Sequence, residues 1–151
     1  MERGVRLHTY KEQGKAMSVT VTALTGGLLA ILYVVLSARV SRLRMLEKVG
    51  IGHGGSHELR RAIRAHANFS EYVPFALLML FLLEMSAMFP PAVIWILGVA
   101  LFVSRLLHAI GMSRTADVNR NRMIGSTLIL LYLLVAGTML AFIGVHNWLL
   151  A

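Results

Sequence analysis

Residues 72–104 read YVPFALLMLFLLEMSAMFPPAVIWILGVALFVS, with one charged side chain, Glu84, and a proline pair, Pro90-Pro91, near the middle. A helix needs ~20 mostly apolar residues to cross the hydrocarbon core of a bilayer. Proline ends or kinks a helix and is tolerated in its first turn. The stretch therefore predicts two membrane-crossing helices joined by a tight turn. Working outward, residues 16–38 and 123–151 carry no charge at all. Backbone groups in lipid must bond within their own segment, so these runs are helices too. The strands of a membrane barrel would alternate apolar and polar residues, and these runs do not.

The resulting fold class is all-α: an integral membrane four-helix bundle. Its helices are predicted over Val19 to Val40, Leu59 to Phe89, Ala92 to Met112 and Met123 to Asn147. Composition agrees, with 57% hydrophobic residues and a mean hydropathy of +0.69 over 151 residues, too apolar for an ordinary soluble domain. No internal repeat is evident. The domain reading is a polar tail over residues 1–16 and a four-helix transmembrane domain over residues 17–151. The run from Ala16 to Ser37 is longer than a signal-peptide core, and Met17 is an alternative start.

Net charge is +8, but the basic residues lie mostly between apolar runs. They read as a topology signal rather than as a nucleic-acid surface. Arg42, Arg44, Lys48, Arg60 and Arg61 fall in or around the first connection, and Arg114, Arg120 and Arg122 in the third. The second connection and the C-terminus have no Lys or Arg. Both basic connections are expected on the cytoplasmic side, with both termini outside. Arg3, Arg6, Lys11 and Lys15 in the tail oppose that orientation, and a start at Met17 would remove the conflict.

The glycine-rich stretch Gly50-Ile51-Gly52-His53-Gly54-Gly55 lacks the G-K-[ST] ending and preceding strand of a phosphate loop, and reads as a flexible connector. Ser56 is placed to cap helix 2, with Glu58 in the first turn. There is no cysteine, hence no disulfide and no thiolate of the protein's own. No i, i+4 histidine pair with a neighbouring carboxylate lies on one helix, so no metal site is expected.

Arg64, Asn68 and Glu71 are spaced i, i+4, i+7 and share one helical face. His57, Arg60 and Arg61 extend it toward water. Charged groups entering a bilayer face protein or a wet cavity, unless they pair with one another or snorkel. Helix 3 adds Arg105 and His108 near the same membrane face, and Arg120 and Arg122 precede helix 4. Glu84 lies off this face and is expected to pack between helices or reach for water. Together the three sets offer many guanidinium donors, an amide and a carboxylate. Such a set suits an anionic ligand that carries carboxylates and an ammonium group. A spare arginine could hold a thiol as thiolate.

The segment Arg64-Ala65-His66-Ala67-Asn68-Phe69-Ser70-Glu71-Tyr72-Val73-Pro74 resembles the helix 2 signature of the MAPEG family, the membrane-associated proteins in eicosanoid and glutathione metabolism. That pattern is roughly R-A-x-x-N-x-x-E, with Tyr and Pro following. Arg105-Leu106-Leu107-His108-Ala109-Ile110-Gly111 resembles the family's helix 3 segment. The chain looks most similar to a bacterial branch, which places it in a bacterial inner membrane and argues against an eicosanoid substrate. The resemblance implies a homotrimer with glutathione as co-substrate, bound between subunits on the cytoplasmic side. Arg64, Asn68, Glu71, Tyr72, Arg105 and His108 would hold it, and Arg122 or, second, Arg120 would ionise its thiol. The implied activity is a glutathione-dependent transferase or peroxidase acting on a lipophilic electrophile. His108 and Met112 stand where family enzymes usually carry tyrosines, and Met112 cannot donate a hydrogen bond. That departure favours the alternative of a non-catalytic membrane protein binding a lipid or anion in the same cleft. A small transporter is a weaker option, since four helices without an inverted repeat lack the usual design.

Overall fold

The computed structural model describes residues 19–114 and 119–151. The polar tail expected over residues 1–16 lies outside the described residues, as does the middle of the third connection. Among the described residues there are four helices: α1 (Thr20–Glu47), α2 (His57–Ser86), α3 (Pro91–Arg114) and α4 (Arg120–Leu150). Each is long and apolar enough to cross a membrane, so the chain is an integral membrane protein. α1 packs on α2 and α3, α4 packs on α3 and α2, and α1 does not touch α4.

α1 continues seven residues past the expected Val40, which puts Arg42 and Arg44 on the helix rather than in the loop. Its 28 residues span about 42 Å at 1.5 Å per residue, more than a hydrocarbon core of about 30 Å. Hydropathy marks where lipid ends, whereas the helix ends at Lys48, in the left-handed conformation with φ 54°. The Arg44 guanidinium then donates to the carbonyls of Val49, Gly50 and Gly52 at 3.0–3.4 Å. The glycine-rich connector is therefore gathered over the end of α1. Gly52, Gly54 and Gly55 supply its positive φ values.

Ser56 caps α2 as expected: its Oγ accepts from the Leu59 amide at 3.1 Å and donates to Glu47 at the end of α1 at 2.7 Å. Pro74 sits inside α2 without ending it. α2 stops at Ser86, three residues before the expected Phe89, because Ala87 turns left-handed with φ 51°. Pro91 then opens α3. At this end of the bundle Glu84 reaches α1 and accepts from the Val21 and Thr22 amides, both at 2.8 Å. α1 begins without a side-chain cap of its own, so a carboxylate more than sixty residues away serves that purpose.

Buried residues follow one stripe of α2: Leu59, Ala62, Ala65, Phe69, Val73, Ala76, Leu80 and Leu83. They meet Leu29 and Leu36 of α1, Leu97 and Leu101 of α3, and Ile129 and Ala136 of α4. Tyr132 of α4 buries its ring in this core and donates to the Ala76 carbonyl at 2.9 Å. Burying a backbone-satisfying hydroxyl where water is absent fixes the register of α4 against α2.

α3 and α4 approach most closely at two glycines. A Cβ on Gly125 would lie 2.6 Å from the His108 amide nitrogen and 2.7 Å from the Ser104 carbonyl oxygen. A Cβ on Gly111 would lie 2.5 Å from the Arg122 nitrogen. Such backbone contact is what small residues permit between membrane helices. Asn119 locks the crossing: its Oδ1 accepts from the Arg122 amide at 3.0 Å and its Nδ2 donates to the Gly111 carbonyl at 2.8 Å.

Candidate functional site

The alternating helix directions place the end of α1, the start of α2, the end of α3 and the start of α4 at one end of the bundle. Arg39 ties three of these, with Nη2 3.5 Å from Glu58 of α2 and 3.5 Å from the Ser113 carbonyl of α3. Among the described residues, the arginines and the lysine singled out in the connections therefore collect at this end. The opposite end holds Trp95 and the far C-terminal Trp148, both exposed, as tryptophans at a membrane interface are.

Arg64, Asn68 and Glu71 do share one face of α2. Arg64 and Glu71 point out of the single chain, each more than half exposed, and their charged atoms stand 3.9 Å apart. An exposed pair at that separation contributes little by itself. Phe75 and Leu78, exposed on the same side, continue the face into the apolar zone.

Asn68 and Tyr72 turn toward α3. There the structure departs from a snorkelling arginine: Arg105 is 1% exposed. Its Nη1 donates to Asn68 Oδ1 at 3.1 Å, its Nη2 to the Gly125 carbonyl at 3.0 Å, and its Nε to Ser104 Oγ at 3.3 Å. The guanidinium also lies 5.4 Å from the centre of the Tyr72 ring, within cation–π range. One cation thus joins α2, α3 and α4. Helix geometry explains the access: Ser104 is small, and Gly125 lets the α4 carbonyl come close.

His108 lies one turn beyond Arg105, buried at 6% exposure, within electrostatic reach of both Arg105 and Arg122. Arg122 is half-buried against Gly111, and Arg120, in the same first turn of α4, is exposed. Met112 packs against the apolar core.

The structure thus brings together Asn68, Tyr72, Arg105 and His108, with Arg122 behind them and Arg64 and Glu71 flanking outside. Ala65, Asn68, Phe69, Arg105, His108 and Ala109 enclose no space for a water molecule, so these residues are packed against one another within the single chain. An opening of about 390 Å³ lies elsewhere, between α1 and α2, and is lined mainly by apolar residues such as Leu29, Val73 and Leu77. Sequence reasoning gave Ser104, beside Arg105, no role of its own, and none to Gly111, Asn119 and Gly125. The two glycines carried a signal, since each sits in an otherwise continuous apolar helix.

Residues 22–142 match the model of the MAPEG family. Over 94 residues the chain is 40% identical to the inner membrane protein YecN of Escherichia coli K12, a match covering 60% of this chain and 69% of YecN. YecN of Escherichia coli O6:H1 matches with the same identity and coverage. With four membrane-length helices and the intact Arg64, Asn68, Glu71 stripe beside Arg105, the chain belongs to the MAPEG family.

Proposed function

We propose that the protein is a glutathione-dependent membrane transferase or peroxidase, active as a homotrimer whose subunits cover one another's polar stripes. The supporting observation is the outward face of α2. Arg64 and Glu71 point away from the single chain just above exposed Phe75 and Leu78, and charged groups facing hydrocarbon are unfavourable by several kcal/mol. A second subunit laid over this face turns the stripe into a cleft. Family membership supports glutathione as its ligand.

In this reading the Arg64 guanidinium and the Asn68 amide take carboxylate and carbonyl oxygens of glutathione, and Glu71 takes its ammonium. Tyr72, Arg105 and His108 form the wall behind. Arg122, with Arg120 second, faces the thiol from the start of α4, where a cation favours the thiolate. The thiol proton passes to water, and the sulfur attacks a lipophilic electrophile that arrives through the bilayer. It adds to an activated double bond or displaces a leaving group, or it cleaves a peroxide O–O bond, releasing the alcohol, after which a second glutathione completes the disulfide and water leaves. The protein contributes thiolate stabilisation and positioning. The domain spans residues 17–151, in a bacterial inner membrane as the name of the E. coli relative suggests, with the basic end in the cytoplasm.

A second reading rests on Met112. Packed against the core and without a hydrogen-bond donor, it leaves the cleft short of one, which suits a non-catalytic protein that binds a lipid or an anionic ligand there. Isothermal titration of the detergent-purified protein with glutathione tests the first reading. Binding by the wild type, weakened at least tenfold in Glu71→Gln and Arg64→Ala but not in Arg114→Ala, is expected. Absence of glutathione binding would remove the first reading and leave the second only with a lipid or another anion.

A further inference from the structure

We propose that Arg105 is a positioning residue: it fixes the Asn68 amide with its NH2 group outward, so that the ligand atom over Asn68 must be a hydrogen-bond acceptor. The ligand identity rests on the glutathione reading above, whereas the orientation rests on geometry alone. A guanidinium carries donors and no acceptor. The amide can therefore present only its oxygen to Arg105, and does so at 3.1 Å. The Asn68 Nδ2 group then points the other way. It makes no hydrogen bond among the described residues, nor is it among the buried side-chain atoms left without a partner, so it reaches the surface between Arg64 and Glu71.

Arg105 itself has no path to a ligand. It is 1% exposed, three of its nitrogens are already committed to Asn68, Gly125 and Ser104, and no water-sized space opens beside it. Among the described residues no carboxylate pairs with it, so its charge acts on Asn68, a polar side chain that leads outward. A cation bonded to the amide oxygen polarises the amide and strengthens its N–H groups as donors. The stripe is thereby sorted by polarity. Arg64 and Asn68 take anionic or carbonyl oxygens, and Glu71 takes a cation. Charge and donor pattern would so fix which end of a zwitterionic peptide lies toward water.

Asn68→Asp separates this from a purely structural role. Aspartate keeps an oxygen for Arg105, now charge-assisted, and loses the outward donor. The melting temperature in detergent is expected to stay level or rise, while glutathione affinity falls at least tenfold. Arg105→Lys, which loses the planar fork, is expected to weaken glutathione binding several-fold per folded molecule even though Arg105 touches no ligand. A clear drop in the melting temperature of Asn68→Asp would overturn the orientation. Unchanged affinity in either variant would overturn the positioning role. If the wild type binds no glutathione, the functional reading falls, and the melting comparison still decides which way the amide points.

Discussion

At the scale of single residues, Gly125 and Gly111 decide how close α3 and α4 come. A methyl group on Gly125 would press into the His108 amide and the Ser104 carbonyl, backbone atoms that cannot step aside. Gly125→Ala is expected to destabilise the protein by about 1–3 kcal/mol, the range for overpacked cores, and to pull the Gly125 carbonyl from Arg105. Gly144 meets nothing within 4 Å, so Gly144→Ala should be neutral or stabilising by up to about 1 kcal/mol through helix propensity. Thermal melts of the two variants check the contrast. Arg105 was visible in the sequence as an arginine in an apolar helix, but its surroundings were not. Snorkelling and burial begin from the same residue, and only the partners on α2 and α4, Asn68 and Gly125, distinguish them. The i, i+4, i+7 spacing of Arg64, Asn68 and Glu71 did fix their common face.

At the scale of elements, the helices were legible because lipid demands long apolar runs, and Ser56 and Pro91 mark starts by local chemistry. Their ends were less so. α1 outruns its apolar segment because Arg42, Leu43, Arg44, Met45 and Leu46 are all good helix formers, and its stop depends on the left-handed Lys48. The capping of α1 by Glu84 was out of reach for any local pattern, since the partners meet only through the fold. Glu84→Ala removes both bonds to Val21 and Thr22. It is expected to lose about 1–2 kcal/mol, at the upper end for a helix cap, with hydrogen exchange rising first in the opening turn of α1. Unchanged protection there would show that the cap contributes nothing. Tyr132→Phe, which leaves the Ala76 carbonyl without its hydroxyl partner, should lose about 1 kcal/mol without changing glutathione binding. Denaturation in mixed micelles would read it out.

At the scale of the whole molecule, four helices in alternating directions gather the arginines at one end and present Arg64 and Glu71 beyond the edge of a single subunit. Under the proposed function three properties go together: subunits associate through the α2 face, glutathione binds only to the associated form, and Arg122 ionises the thiol. Light scattering in detergent should give three chains per particle, and a monomer that still bound glutathione would break the link between assembly and site. The most direct test is the ultraviolet absorbance of glutathione thiolate on titration into the purified protein near neutral pH, below the ordinary thiol range of about 8.5. The account predicts a saturable thiolate signal with wild type and its loss in Arg122→Leu, with Arg114→Leu behaving as wild type. Saturable glutathione binding with no thiolate signal would contradict catalysis by thiol activation, and an undiminished signal in Arg122→Leu would contradict the role given to that arginine.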